Sequence, residues 1–202
     1  MASTHKPSRT SERPRRADAE RSVARILQAT VEVLASDPDA SMAEIARRAG
    51  VVRATIYVHF PTRESLIAAV TDHAIAEVVE VIEAVEPARG NAAEALARVV
   101  AAAWVALGRF HSLIAINTRL PPAELHRKHK AVLGQLHPLI ERGQVEGSFR
   151  ADVPVSWHLS MLLAIVHAAS SELQAERITQ EGIQAALVTT VLGALAPSAG
   201  SN

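Results

Sequence analysis

Residues 41–66 read SMAEIARRAGVVRATIYVHFPTRESL, and this stretch decides the fold. Ser41 stands three residues before Glu44, the spacing of a capping box in which each side chain bonds the other's backbone N–H. A short helix is therefore expected to open there. Ala46 is small enough for two helices to cross closely, and Gly50 supplies the backbone freedom of a sharp turn that a Cβ would strain. A second helix then starts at Val51. Ile45, Ala49, Val51 and Ile56 fit a core shared by the two helices, which leaves Arg53, Ala54, Tyr57 and Val58 facing outward. This is the pattern of a helix-turn-helix, and the outward residues of its second helix are candidates for reading DNA.

The joint presence of Ile45-Ala46, Ala49-Gly50-Val51, Thr55-Ile56-Tyr57, His59-Phe60 and Glu64-x-Leu66 resembles the amino-terminal domain of the TetR family of transcriptional regulators. The signature covers roughly the first third of the chain; the rest matches the family only in length and helical character. The resemblance implies an all-α, two-domain homodimer that binds double-stranded operator DNA at a palindrome and is released by a small-molecule effector. It also implies repression, and the absence of a cofactor or a catalytic role. Residue by residue, it places Arg53 at base edges, where an arginine bonds guanine O6 and N7 together, with a phosphate contact nearly as good a reading. Thr55 is set against a phosphate or a local cap, Ala54 and Val58 against apolar groups such as a thymine methyl, and Tyr57 and His59 against phosphates. Ser41, Arg21 and Arg63, the last with a planar fork for phosphate, complete the candidate DNA-binding set. Two positions depart from the pattern. Val52 stands where the family carries a small hydroxyl residue that caps the recognition helix, and Arg63 replaces the lysine opening the fourth helix, keeping its charge.

Composition agrees with such a protein. A chain of 202 residues can bury a good core, and it contains no cysteine, which excludes a disulfide framework, a thiolate metal site and a cysteine nucleophile. No segment approaches the roughly 20 charge-free apolar residues of a membrane span, so a soluble, cytoplasmic protein without membrane partners is expected. The zero net charge hides an asymmetry: residues 1–70 carry 11 Lys and Arg against 8 Asp and Glu, and residues 71–202 carry 10 against 13. The basic excess lies with the helix-turn-helix.

The remaining organisation follows from periodicity and breakers. Residues 1–17 hold Lys6, Arg9, Arg13, Arg15 and Arg16 and read as a disordered basic arm, either solvated or laid on phosphates. A first helix is expected from Asp18 to Ala35, a DNA-binding domain over 18–66, and a fourth helix, capped by Thr62, over 62–85. A helical ligand-binding and dimerisation domain then spans 67–196, with a tail over 197–202. Within it the spacing predicts an Asn91-capped helix to about Phe110, a short element, a helix opened by Pro121-Pro122 and running to about Glu146, and helices over Val155–Leu173 and Thr179–Leu195.

The last two helices carry almost no polar residues, and a helix apolar all round must be covered. Burial inside one subunit is one solution; a four-helix bundle between two subunits, as the resemblance also implies, is the other, with Leu159, Leu163, Val166, Ile183, Leu187 and Val191 as its interface. The large or polar residues among the aliphatic helices, Trp104, Phe110, His111, Asn117, Trp157, Met161 and His167, are the candidate lining of a mostly apolar effector pocket between the fourth helix and the fifth to eighth. His126 and His129 have a spacing that can hold a metal, but Arg127, Lys128 and Lys130 surround them and disfavour a cation, so no metal site is expected. No catalytic triad, carboxylate pair or phosphate loop can be assembled from local spacing. A regulator controlled by a protein partner, and more distantly a helical enzyme or metal-binding protein, are the alternatives.

Overall fold

The structure, a computed structural model, describes residues 12–111, 113–114 and 121–197. They form nine helices and, among the described residues, no strand: α1 (Glu12–Ser36), α2 (Met42–Arg48), α3 (Arg53–His59), α4 (Arg63–Ala84), α5 (Ala92–Leu107), α6 (Pro122–Lys128), α7 (Lys130–Val145), α8 (Val155–Gln174) and α9 (Gln180–Leu195), with a 3-10 turn at Gly108–Phe110. The fold is all-α. The chain divides into two compact units between Val70 and Thr71, inside α4, rather than after residue 66.

In the first unit α2 packs on both α1 and α3. Its core is Ile26, Leu34, Ile45 and Ile56, all nearly or fully buried, with Ala46 at the close crossing. α1 begins at Glu12, six residues before the expected Asp18, so the last part of the basic arm is helical. Pro14 permits this because the N–H groups of a first helical turn have no intrahelical partner. Arginines 13, 15 and 16 therefore belong to a helix, while residues 1–11 lie outside the described part.

In the second unit α9 packs on α5 and α8, and α7 packs on the same two helices. Leu96, Trp104, Ile140, Val191 and Leu195 are at most 1% exposed at its centre. The close packing is visible at Gly143, where a Cβ would meet the Phe149 ring at 2.0 Å. Asn91 and Thr179 cap α5 and α9, their side chains accepting from Ala93 N and Gly182 N. The α4–α5 turn is clamped by Arg142, which donates to the carbonyls of Pro87, Ala88 and Gly90.

The single helix expected from Pro122 to Glu146 is two. His129 adopts φ −87°, ψ 8° between α6 and α7. Its Nδ1 lies 2.8 Å from Leu125 O, a carbonyl of the preceding turn, so the side chain competes with the backbone ladder where the helix breaks. Pro138, inside α7, forfeits one ladder bond, yet the helix continues because Leu136, Leu139 and Ile140 bury its apolar face.

Candidate functional site

The helix-turn-helix is built from its caps outward. Ser41 Oγ accepts from Glu44 N at 3.2 Å, but Glu44 turns to Arg47 at 3.6 Å rather than back to Ser41, so only half of the expected capping box forms. The reciprocal box stands at α4 instead: Thr62 Oγ1 accepts from Ser65 N at 3.1 Å, and Ser65 Oγ from Thr62 N at 3.2 Å. Between α2 and α3, Gly50 N donates to Arg47 O and Val51 N to Ala46 O, a Schellman turn with Gly50 at φ 66°. A Cβ there would have open space around it, so glycine is required by its dihedral alone.

α3 opens at Arg53, two residues later than expected, because Val52 takes the extended N-cap conformation without a side-chain cap. The outer face is as the spacing indicates. Arg53, Ala54, Tyr57 and Val58 are exposed, Thr55 and His59 half-buried, and Ile56 and Phe60 buried. The Arg53 guanidinium lies 5.6 Å from the centre of the Tyr57 ring one turn on, an arrangement that presents a planar donor fork from an aromatic platform. Val52 and Val58, 69% and 78% exposed, flank that pair with apolar surface.

Two further basic candidates are already engaged. Arg21 pairs with Asp18 on α1 and remains exposed. Arg63 turns inward: Nη2 donates to Pro38 O, and Nη1 is buried without a partner among the described residues. Arg63 thus braces the start of α4 against the α1–α2 turn, a role its position in the sequence does not reveal. Arg48 bonds Glu32 at 3.0 Å and ties α2 to α1.

The second unit contains a cavity of about 110 Å³. Five residues of α4, Thr71, Ala74, Ile75, Val78 and Ile82, form one wall. Helices α5, α7, α8 and α9, with Leu113, Ile114 and His129 outside them, supply the rest, almost entirely aliphatic, and the polar positions are Thr71, Trp104, His129 and His167. Of the expected lining residues, Trp104 and His167 face the cavity. His111 and Phe110 are buried but do not line it; the His111 ring centre lies 4.4 Å from that of Trp104, tilted by 37°. Met161 packs against the surrounding core. Trp157 is displaced from the expectation: it is 60% exposed on the outer face of α8. Asn117 lies outside the described residues.

His129 is the lining residue that sequence reasoning missed, having been weighed only as a metal ligand. His126 and His129 do not converge: His126 Nε2 sits 3.1 Å from Ser160 Oγ, while the His129 ring meets that of His167 edge-on at 5.4 Å. The available signal was its place one turn before the apolar run Val132, Leu133, Leu136, which faces the cavity.

Burial holds the imidazoles of His111 and His129 below their ordinary value. Burial, with the neighbouring His129, holds His167 at about 4. In the unfolded chain His167 binds its proton near 6.5, so between about 4 and 6.5 the unfolded state carries more protons and stability rises with pH. Urea unfolding midpoints are expected to fall as pH drops through this window, less steeply in His167→Leu. An identical slope in the variant would show that His167 is not held neutral.

The expected dimer residues need correction. Leu159, Ile183, Leu187 and Val191 are at most 7% exposed within a single chain, and Leu163 and Val166 line the cavity with Leu187 and Val191. Helical periodicity showed that α8 and α9 are apolar but not which stripe faces their own core. Their exposed positions are Ser156, Trp157, Ala164, Ala168 and Gln174 on α8 and Gln180, Glu181, Gly182, Ala185, Ala186, Thr189, Thr190 and Gly193 on α9, with Glu181, in the first turn of α9, the one charged residue among them.

Residues 26–70, which contain the recognition helix and its supports, match the profile of bacterial regulatory proteins, tetR family. The likeness to the tetR family rests on that segment. Over 81 residues it is 38% identical to the HTH-type transcriptional repressor LfrR of Mycolicibacterium smegmatis, an alignment spanning 40% of this chain and 43% of that relative. The likeness of fold extends beyond the matched segment. The crystal structure of LfrR from Mycobacterium smegmatis in complex with proflavine superposes with a TM-score of 0.69 at 24% identity, covering 87% of this chain and 97% of that one. The transcriptional regulator FadR from Bacillus subtilis in complex with stearoyl-CoA gives 0.68 at 22% identity, covering 85% and 98%. No helix among the described residues is long and apolar enough to cross a membrane.

Proposed function

We propose that this protein is a homodimeric TetR-family repressor that binds a palindromic operator through α3 and leaves it when a small molecule enters the cavity of the second unit. The outward face of α3 carries the reading: Arg53 over Tyr57, flanked by exposed Val52 and Val58, offers one bidentate donor and a set of apolar contacts and no competing acid. Ligand-bound LfrR and FadR support the effector. So does α4, the helix that follows the recognition unit in the chain and forms one wall of the cavity. A ligand that moves this helix has a covalent route to the DNA-binding unit. It must bind the released state better than the DNA-competent one, since equal affinity shifts nothing.

The dimer is proposed to form through the outer stripes of α8 and α9, which beyond the first turn of α9 are uncharged, with Trp157 as the large anchor. Trp157 thus moves from the pocket, where its size suggested it, to the subunit interface.

The test is titration against the protein's own upstream DNA at several salt concentrations, with ordered sequence variants of the bound site. Affinity is expected to fall steeply with salt. Arg53→Ala is expected to relax preference at one base pair per half-site, at a cost of about 1–3 kcal/mol there, while Tyr57→Phe weakens every variant alike. Equal losses across all operator variants for both substitutions would contradict base reading by Arg53.

A further inference from the structure

Among the described residues of the first unit, the large apolar side chains left exposed are all on or beside α3: Val52 is 69% exposed, Val58 78% and Tyr57 38%. Neither valine does anything for the free chain. Val52 holds the N-cap of α3, where a hydroxyl or carboxylate side chain would accept from a first-turn N–H, and it makes no such bond. Val58 is a β-branched residue on a helix of only seven, where its stiff side chain slightly lowers helix propensity.

The exposed positions of α3 form two strips. Arg53 and Tyr57, one turn apart, make the first; Ala54 and Val58, also one turn apart, make the second, beside it. Val52 stands at the N-terminal end, the end that reaches base edges in a helix-turn-helix. The first strip carries the hydrogen-bonding groups, whereas the second strip and Val52 present only hydrocarbon. In the major groove the apolar feature of a base edge is the C5-methyl of thymine. Over cytosine the same side chain would cover the N4 amino donor without giving it a partner, which costs affinity.

Resting on the reading of α3 as the recognition helix, we propose that Val52 and Val58 are specificity determinants that read the C5-methyl groups of two thymines in each operator half-site, so that affinity depends on the methyl groups of pyrimidine edges. Val52 thereby exchanges a helix cap for a base contact. The two valines are six positions apart. At about 1.5 Å of rise per residue and about 3.4 Å per base step, the two thymines are expected within about three or four base pairs of each other.

The test uses the full-length protein and the duplex it binds, with deoxyuridine replacing thymine at one symmetric pair of positions at a time. Deoxyuridine keeps the hydrogen-bonding edge of thymine and lacks only the methyl. Each methyl removed is expected to lower affinity about fourfold, and a symmetric pair therefore roughly fifteenfold, with such losses at two pairs of positions. Val58→Ala is expected to reduce the penalty at one pair to about twofold or less, and Val52→Ser that at the other. The serine also supplies the missing cap, so Val52→Ser keeps or raises the melting temperature while losing methyl discrimination, a combination that a merely structural valine would not give. Exchanging the T·A pair at such a position for C·G, with and without a methyl on cytosine C5, separates contact from duplex flexibility. The methylated pair is expected to bind about fourfold more tightly per position than the unmethylated one.

No loss with deoxyuridine at any position, no gain from the methylated cytosine, or a penalty unchanged in either variant overturns the proposal. A duplex that is bound selectively but is indifferent to its methyl groups defeats this inference alone. Failure to bind any duplex selectively defeats the reading of α3 on which it rests.

Discussion

Leu187→Glu is expected to unfold the second unit rather than to give folded monomers. Leu187 is 3% exposed, sits in the core cluster with Leu96, Trp104 and Val191, and lines a cavity wall without a basic residue among the described residues. A carboxylate there has neither water nor a partner, and an uncompensated buried charge costs several kcal/mol, about 3–5 in cases where one member of a pair is removed. That is a large part of the roughly 5–15 kcal/mol by which domains are stable. Far-ultraviolet circular dichroism and thermal melting should report loss of the cooperative transition of this unit. A variant with the parent's melting profile would mean that Leu187 does not face the core of its own chain.

Ala168→Glu is expected to do the opposite. Ala168 lies on the outer stripe of α8 with Trp157 and Ala164, so a glutamate there remains solvated in the monomer and keeps the fold. In the proposed dimer it introduces two like charges, related by symmetry, into the interface between the helices. Sedimentation should show folded monomers. Because two linked recognition helices bind more tightly than one by the effective concentration of the second site, operator affinity is expected to fall by roughly 10²–10⁴. A dimer of unchanged stability would move the interface elsewhere. The contrast between the two substitutions separates core from interface, which neither does alone.

The parts of the molecule legible in the sequence are those fixed by short-range chemistry. Ser41, Gly50, Thr62, Asn91 and Thr179 act through backbone groups within a few residues of themselves, and the turn and caps they build are present. The outward face of α3 was legible for a similar reason: a seven-residue helix with Ile56 as its buried position has only one possible outer side.

What was not legible depends on which neighbour a side chain meets. Trp157 and Trp104 look alike in sequence, each a large residue in an aliphatic helix, yet one is 60% exposed and the other 1%. α8 and α9 are apolar on nearly every side, so periodicity could not say that Ile183, Leu187 and Val191 turn inward and Thr189 and Gly193 outward. Arg63 likewise reads as a free cation until the α1–α2 turn places Pro38 O beside it. His129 carried two competing readings, and it is the contact with His167 across the α7–α8 packing that favours the cavity over a metal.

The most direct test of the account is selection from a pool of random duplexes with the full-length protein, repeated with Arg53→Ala. The account predicts enrichment of one inverted repeat whose half-sites are centred about one helical turn, or a multiple of it, apart, with the preference at one symmetric pair of positions lost in the variant. Enrichment of a site without two-fold symmetry, or no enrichment at salt concentrations where the duplex is bound, would contradict it.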